Sequence, residues 1–507
     1  MAMPPKVYQF LVSVFAAMGS FLYGYDLGVV AEVIASEDFL VKFHPDSDQS
    51  GLVVSMFTTG AFCGAAFGGP LGDYFGRRIV ILVGALVFCL GGAIQTAASN
   101  IKFLWGGRFV AGLGVGFLTM VIPLYQAELA HPSIRGRVTA LQQFMLGIGS
   151  LFAAWIGYAC FVKMDDDDHL QWRLPLAIQI IPAGILALLI MLFPESPRWL
   201  MDHDQVQKGL ETLAKLHAHG DVNDAWIQEE YHRIMAAIQY EHEHEATSYG
   251  ELFTNKSCFR RLFLGCSIQA AIQMTGVSSI QYYSVTIYGM MGFTTAETLK
   301  YQGVNSVIGL VAQGVCVAFI DYSGRRWVLI GGMIANCVTF IIATCLLAEY
   351  PPETNNNRAA SWGFIAVTWI YNFCFSAFCG PLSWIIPAEI FDTRTRSKGV
   401  SISTMTSFAF NTMIGQVSPR AMNKVGYKFY ILFIVCNFTN AIFFYCILPE
   451  TANIPMEDMN YLFEHAPWFI PAINQKDYIR PRDVESNIKN EEDFKDVTVT
   501  ETEHPAN

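Results

Sequence analysis

The chain has 507 residues, of which 53% are hydrophobic and only 15% are charged. Its net charge of -11, together with the lack of a basic segment interleaved with aromatic residues, argues against nucleic acid as a partner. Hydrophobic runs long enough to cross a bilayer recur along most of the sequence, which predicts a multi-pass membrane protein embedded in lipid.

The hydrophobic runs predict an all-α fold with twelve transmembrane helices. Their approximate bounds are 8–31, 50–70, 78–98, 102–124, 137–161, 173–193, 259–285, 300–320, 327–348, 362–388, 399–420 and 427–448. The predicted parts are an N-terminal six-helix half over 1–195, a cytoplasmic linker of amphipathic helices over 196–257, a C-terminal six-helix half over 258–450 and a cytoplasmic tail over 451–507. After about residue 465 the tail has too few large apolar residues to bury a core, so we expect disorder there.

Short motifs recur in the two halves. The segment LGDYFGRR at 71–78 returns as FIDYSGRR at 319–326, and YQAELAHPSIRG at 125–136 returns as IPAEIFDTRTRSKG at 386–399. A duplicated six-helix unit explains both repeats.

The cations of the short loops predict the orientation in the membrane. The loops after the second, fourth, eighth and tenth runs carry most of the arginines, whereas the opposite loops include the acidic segment 165–168. Because cytoplasmic loops are enriched in Lys and Arg, we expect both termini to be cytoplasmic.

Asp26 lies inside the first hydrophobic run, and Arg108 lies inside the fourth. A carboxylate in the middle of a membrane costs roughly 2.5 to 3.5 kcal/mol on insertion scales, so such groups tend to have a partner and a function. Arg108 also needs a partner, and Asp26 is the best candidate. The pair serves either proton handling or a purely structural role.

Motifs typical of enzymes and metal proteins are missing from the sequence. The twelve cysteines lie mostly in apolar runs without CxxC spacing, and the histidines of the polar segment lack the spacing of a closed zinc site. No nucleotide-binding motif is evident either. We therefore expect no enzyme activity, no metal and no prosthetic cofactor.

Ordered motifs along the chain identify a family. In sequence order they are GYD, GxLGDxxGRR, GRxxxGxGxG, PxYxAExxxxxxRG, PESPRWL and PET. This pattern resembles the sugar porters of the major facilitator superfamily, and is similar to the proton-coupled monosaccharide transporters of fungi. The resemblance implies transport by alternating access around a central site, in the plasma membrane, with one chain sufficient for function.

The resemblance also implies a cytoplasmic gate of paired acids and arginines that breaks during transport. Its predicted members are Asp73, Arg77, Glu128, Arg135, Glu195, Arg198, Asp321, Arg325, Glu389, Arg394 and Glu450. By the same resemblance, Asp26 and Arg108 couple transport to a proton, since protonation of the carboxyl would loosen the pair.

A sugar site combines amides that bind neighbouring hydroxyls with flat aromatic rings. The positions that match the sugar-contacting residues of the family are Gln143, Gln273, Ser278, Tyr282, Tyr283, Asn305, Trp384 and Asn411. Hydrogen bonding between helices is the alternative role for the amides among them.

The seventh run departs from the family pattern QQxxGxN and reads IQMTGVS. Ile272 stands where the family has an amide, and Ser278 stands where it has an asparagine. A lost hydrogen bond to a substrate hydroxyl costs on the order of 1 kcal/mol. A pentose such as L-arabinose, or a deoxyhexose, would therefore fit better than glucose.

The sequence thus predicts a secondary active transporter that imports a monosaccharide with proton symport. Its partners would be the sugar, the proton and the lipid bilayer. Two alternatives stay open: a facilitative uniporter in which Asp26 serves only structure, and a sugar sensor that signals without transport.

Overall fold

The computed structural model describes residues 5–130, 135–164, 170–244, 250–351, 357–391, 395–451 and 456–472. In these ranges the chain is helical almost throughout and contains no strand. The predicted all-α fold is confirmed. Disorder is predicted after about residue 465, but residues 466–472 are ordered, since Arg260 binds the carbonyl oxygens of Ala466 and Pro467, and Ile470 is buried. The tail beyond 472 lies outside the described residues.

The helices follow the predicted hydrophobic runs. The first part contains α1 (Pro5–Ala16), α2 (Met18–Ala35), α3 (Glu37–Phe43), α4 (Ser47–Phe75), α5 (Arg77–Thr96), α6 (Ile101–Leu129), α7 (Arg135–Lys163), α8 (Leu170–Ile178) and α9 (Ile180–Leu189). The polar segment contains α10 (Pro197–Asp202), α11 (Val206–His217), α12 (Ala225–His244) and α13 (Glu251–Thr254). The last part contains α14 (Lys256–Gln273), α15 (Val277–Met290), α16 (Thr295–Ser323), α17 (Arg326–Glu349), α18 (Arg358–Cys374), α19 (Leu382–Ile390), α20 (Arg396–Val425), α21 (Phe429–Ile447) and α22 (Met456–His465).

Nine candidate membrane spans are found in the described residues by length and apolar composition. One of them, Lys398–Ile447, joins the two helices α20 and α21. The helices α14 to α16 are not among the nine, and their sequences carry many amides and, in α14, two buried arginines. The count of twelve spans therefore stays a prediction, although a helix occupies each of the twelve runs.

The same helix pairings recur in the two parts of the chain. Helix α5 packs on α9 as α17 packs on α21, and α2 packs on α7 as α14 and α15 pack on α20. This recurrence is what a duplicated six-helix unit predicts. The two parts meet along three pairs of helices, which are α2 with α15, α4 with α20, and α7 with α16.

Glycines bring α4 and α6 into close contact, as small residues at a helix interface permit. A Cβ atom at Gly60 would lie 2.1 Å from the carbonyl oxygen of Phe109, and one at Gly112 would lie 1.9 Å from that of Phe57. Only glycine fits at this separation. The contact fixes Arg108 on α6 beside the backbone of α4.

The seventh predicted span is broken into α14 and α15 at Gly276. Its φ of +96° lies in the left-handed region, and a Cβ atom there would meet Phe340 at 2.7 Å and Phe433 at 2.9 Å. Both the conformation and the space require glycine. The break places Gln273 and Ser278 on either side of a turn rather than on one continuous helix.

Candidate substrate cavity and ion-pair networks

Asp26 and Arg108 form a buried ion pair. Nη1 of Arg108 donates to Oδ1 of Asp26 at 2.6 Å, and Nε of Arg108 donates to the carbonyl oxygen of Val53 at 2.9 Å. The two residues are 0% and 1% exposed. The predicted ion pair between Asp26 and Arg108 is therefore present in the structure.

The pair is only partly satisfied. Oδ2 of Asp26 and Nη2 of Arg108 are buried and have no hydrogen-bond partner in the structure. The guanidinium carbon of Arg108 also lies 4.6 Å from the ring centroid of Phe57, a cation–π contact. Each charge therefore keeps one open polar atom while the other atoms hold it in place.

A cavity lies between the two parts of the chain, close to this pair. Its walls come from α2, α7, α14, α15, α16, α18, α19 and α20. Six of the predicted sugar-contacting residues line it, namely Gln143, Gln273, Ser278, Asn305, Trp384 and Asn411. The fold thus brings together residues that lie up to 268 positions apart, since 411 − 143 = 268.

Some of the lining groups bind one another. The hydroxyl of Ser278 donates to Oε1 of Gln273 at 2.7 Å, and Nε2 of Gln273 donates to the hydroxyl of Ser407 at 3.1 Å. Ser278, which replaces the family's asparagine, therefore orients the neighbouring amide.

Three amide oxygens of the cavity wall are buried and have no hydrogen-bond donor. They are Oδ1 of Asn305, Oε1 of Gln313 and Oδ1 of Asn411. Buried polar atoms are rarely left without a partner in native proteins. These oxygens are therefore acceptors without a donor, held just beneath the surface of the cavity wall.

Two predicted sugar-contacting residues do not line this cavity. Tyr282 and Tyr283 are 1% and 3% exposed, and the hydroxyl of Tyr283 donates to the carbonyl oxygen of Gly415 at 2.7 Å. In this structure Tyr283 joins α15 to α20 instead. Tyr282 is buried within electrostatic range of Asp26 and Arg108.

The first gate network surrounds the start of α5. Nε and Nη2 of Arg77 donate to the two oxygens of Glu128 at 3.1 Å and 3.0 Å, and Asp73 lies 3.1 Å from Nη2. The carboxylate of Glu195 accepts the backbone N–H groups of Arg77 and Arg78. An acid at a helix N-terminus is stabilised by the helix dipole.

Burial raises the pKa of the Glu195 carboxyl above its ordinary value, because α5 and α10 exclude water from it. The backbone N–H groups of Ser196 and Arg78 and the charges of Arg78 and Arg77 oppose the shift without cancelling it.

The second gate network repeats the first at the start of α17. Nη2 of Arg325 donates to Glu389 at 3.2 Å, and Glu450 accepts the backbone N–H of Arg325 at 2.7 Å. Gly324 precedes the helix with a φ of +76°, as Gly76 precedes α5 with a φ of +92°. We call the end of the bundle that carries both networks the motif end.

For three of the predicted gate residues, the structure describes no side-chain contacts. The side chains of Arg135 and Asp321 lie outside the described part of the structure, as does Arg394. Arg198 lies in α10, whose Trp199 donates from Nε1 to the carbonyl oxygen of Asp73 at 2.7 Å. Each ion pair given above joins helices of one half.

Comparison with known proteins identifies the family. The family described as "Sugar (and other) transporter" matches residues 12–463. The chain belongs to this family of the major facilitator superfamily. It is 33% identical over 453 residues to the MFS-type transporter criB of Aspergillus cristatus, covering 89% of this chain and 92% of the relative.

Other relatives differ in their named substrates. The chain is 30% identical over 486 residues to a quinate permease of Emericella nidulans, covering 92% of this chain and 90% of the permease. It is 29% identical over 481 residues to the MFS glucose transporter mfs1 of Aspergillus flavus, covering 90% of each. Family membership therefore defines a membrane transporter without fixing its substrate.

A solved structure shares the fold. The proton:xylose symporter XylE bound to 6-bromo-6-deoxy-D-glucose matches with a TM-score of 0.76 at 22% identity, covering 90% of this chain and 99% of XylE. This similarity confirms the predicted major facilitator fold.

The cavity of the present protein is also lined by amides that the sequence analysis does not predict. They are Gln269, Gln281, Gln302, Gln313 and Asn372. Two of them have a signal in the sequence, because Gln302 and Gln313 recur with Asn305 and Gly309 at helical spacing on one face of α16.

Among the described residues, no Asp, Glu, Lys or Arg side chain lines the cavity. The ion pair behind Tyr23 and the two gate networks hold their charges away from it. The wall instead combines amides and hydroxyls with rings such as Tyr23, Phe375 and Trp384. Such a surface suits a ligand that is polar and uncharged.

Proposed function

We propose that this transporter imports a neutral monosaccharide by alternating access, coupled to the inward movement of a proton. The observation that carries the proposal is the uncharged, amide-rich cavity beside a partly satisfied Asp26–Arg108 pair. The cavity binds the sugar, and the pair takes up the proton. The substrate class is a hexose, pentose or deoxyhexose.

The cavity chemistry supports a polyhydroxylated substrate. As the wall adjusts around the substrate, sugar hydroxyls would donate to the unpaired oxygens of Asn305, Gln313 and Asn411, and the ring of Trp384 would cover an apolar face of the sugar. Each bond would satisfy a group that is otherwise buried without a donor. That gain is specific to ligands with several O–H groups.

Ile272 supports a sugar with one hydroxyl fewer than glucose. It lines the cavity and is 3% exposed, so it offers a substrate only apolar surface. Gln269, one turn away on α14, donates from Nε2 to the carbonyl oxygen of Ser383 at 2.9 Å. Its amide nitrogen is therefore already engaged and does not replace the missing group.

The geometry of the pair supports proton uptake at Asp26. Oδ2 is open, so a proton can add there without displacing the hydrogen bond through Oδ1. Protonation removes the anion that attracts Arg108, while Val53 and Phe57 still hold the guanidinium. The pair can then loosen without leaving a cation wholly unpartnered.

Alternating access would open and close the two ends of the cavity in turn. We propose that the motif end is cytoplasmic, since its loops carry most of the arginines. The two gate networks would form the gate at this end and would break when the end opens during transport. The protein would act as a monomer in the plasma membrane, with both termini in the cytoplasm.

An anionic polyol is the second candidate substrate, because relatives are named quinate permeases. A carboxylate in this cavity would need a cation, and no Lys or Arg of the described residues lines it. Burying an unpaired charge is strongly unfavourable. The neutral sugar is therefore the proposal, and quinate belongs in the test.

The test is uptake in a cell that lacks its own sugar carriers. Extracellular pH and radiolabelled uptake are recorded as glucose, galactose, xylose, L-arabinose, L-rhamnose and quinate are added separately. Alkalinisation with uptake of a neutral sugar supports the proposal. Sugar uptake without alkalinisation indicates a uniporter, uptake of quinate alone indicates an anion carrier, and no uptake by protein that reaches the plasma membrane indicates a sensor or another substrate.

A further inference from the structure

The charged pair and the substrate cavity are joined by a row of aromatic contacts. Arg108 lies over the ring of Phe57 at 4.6 Å, and the ring of Phe57 is nearly parallel to that of Tyr23, with centroids 6.5 Å apart and planes 15° apart. Tyr23 lines the cavity. The row therefore reaches from the guanidinium to the substrate wall through one side chain, Phe57.

The row also touches the other half of the protein. The ring of Tyr23 meets that of Phe408 edge-on, with centroids 6.0 Å apart and an angle of 72° between the planes. Phe408 lies on α20, whereas Tyr23 lies on α2 and Phe57 on α4. All three rings are buried, so a shift of one must be taken up by its neighbours.

Arg108 has two attachments to α4 and one to α2. Val53 and Phe57 are one turn apart on α4, and they hold the guanidinium by a hydrogen bond and a cation–π contact. Asp26 on α2 holds it by charge. Loss of the charge on Asp26 weakens the α2 attachment and leaves the two α4 attachments unchanged, so the position of the guanidinium depends on whether Asp26 carries a proton.

We propose that Phe57 is a positioning residue that couples the protonation of Asp26 to sugar binding through Tyr23. The inference rests on the proposed proton symport. A sugar in the cavity presses on Tyr23, and the contact reaches Arg108 through Phe57. By linkage, a proton that changes sugar affinity is itself bound with an affinity that the sugar changes by the same factor.

Other groups around Asp26 define what the test must separate. Arg108 faces it from α6, Tyr282 from α15, and Tyr23 and Tyr25 lie on its own helix. Because Tyr23 is three residues before Asp26 on α2, coupling could also run along that helix. Phe57 lies on α4, so its replacement leaves the α2 route intact.

The experiment measures sugar affinity in the purified full-length protein at acid and at neutral pH. In the wild type we expect the two dissociation constants to differ by about fivefold or more, the usual size of a coupling between sites. In Phe57→Leu the ratio is expected to fall toward one while sugar still binds, and Phe57→Tyr, which keeps the ring, is expected to retain it. The control is Phe88→Leu, which removes an equally buried ring from α5.

The inference would be overturned if the ratio of the two sugar dissociation constants in Phe57→Leu equalled that of the wild type. If that variant does not fold, Phe57→Met, which also removes the ring from α4 and leaves the α2 route intact, must lower the ratio. The sugar affinity of Asp26→Asn is expected to be independent of pH. If the sugar affinity of the wild type is also independent of pH, both the symport proposal and this inference are overturned. A pH-dependent wild type with unaffected Phe57→Leu would overturn this inference alone.

Discussion

Asp26 and Glu32 are two acids on the same helix, and they differ in their surroundings. Asp26 is held by Arg108, whereas both carboxyl oxygens of Glu32 are buried without a hydrogen-bond partner in the structure. Gly157 on α7 makes room for Glu32, since a Cβ atom there would lie 2.7 Å from its Cγ. Charge removal should therefore affect the two residues differently.

Asp26→Asn is expected to abolish sugar-dependent proton movement, because an amide cannot take up the proton. Glu32→Gln is expected to keep proton movement and thermal stability near the wild type, since it loses no donor and no cation. Proton flux in proteoliposomes and Tm in detergent measure both. Loss of proton movement in Glu32→Gln would contradict this distinction.

Ile272→Gln is expected to favour glucose over pentoses. The new amide would face the cavity where Ile272 now lines it and could bind one more hydroxyl. One net hydrogen bond of about 1 kcal/mol corresponds to a shift of about fivefold in relative affinity. Competition for labelled xylose measures the shift, with Ile272→Leu as the control, and an unchanged ranking of sugars would count against this role.

The ion pair could be predicted from the sequence, whereas the details of the cavity could not. Charges inside hydrophobic runs need partners, so the sequence predicts that Asp26 and Arg108 pair with each other. The open oxygens of Asn305 and Asn411 depend on which neighbours their amides meet, and no pattern encodes that. Tyr283 matched a family position, yet its hydroxyl binds the backbone of α20.

At the scale of elements, the break between α14 and α15 shapes the cavity wall. Gly276→Ala is expected to lower Tm by several degrees, because a Cβ at a φ of +96° is strained and would clash with Phe340 and Phe433. The matched control is Gly289→Ala on α15, where a Cβ would meet no atom within 4 Å. Equal effects of the two variants would refute the requirement for glycine at the break.

Glu195 anchors the start of α5, and its raised pKa predicts a pH effect on stability. A group whose pKa is raised by folding contributes stability below its unfolded pKa, about 4.3 for glutamate, and loses that contribution as pH rises through the folded value. The Tm of the wild type minus that of Glu195→Gln should therefore fall between acid and neutral pH. A difference that rises with pH would contradict the sign.

The repeated elements were predicted better than their individual contacts. The motifs LGDYFGRR and FIDYSGRR predict a repeated unit. In the structure each motif has a glycine with a positive φ, and the first N–H groups of the helix that follows bind a glutamate. The acids Glu195 and Glu450 come from distant segments, PESPR and PET. Their attachment to helix N-termini rather than to arginine side chains alone required the structure.

At the scale of the molecule, the end of the bundle opposite the motif end is closed by contacts between α4 and α20. Ser47 lies 2.5 Å from Asn423 in a side-chain hydrogen bond, Asp48 pairs with Arg420, and Thr58 bonds to Thr412 at 2.7 Å. Alternating access requires these contacts to break in each cycle. The two helices belong to different halves.

A disulfide between Ser47→Cys and Asn423→Cys is therefore expected to stop uptake, and a reductant is expected to restore it. The controls are the single variants Ser47→Cys and Asn423→Cys, which cannot form this bridge and should transport normally under the same oxidant. Labelled sugar uptake before and after reduction measures both. Full uptake by the oxidised α4–α20 pair would show that these helices need not separate.

The most direct test of proton symport through Asp26 is to measure the number of protons moved per sugar in proteoliposomes. Purified wild-type protein and Asp26→Asn are compared with the same transported sugar, and proton and sugar fluxes are recorded together. Proton symport through Asp26 predicts a fixed ratio in the wild type and no sugar-dependent proton flux in the variant. Proton movement at the wild-type ratio in Asp26→Asn would contradict it.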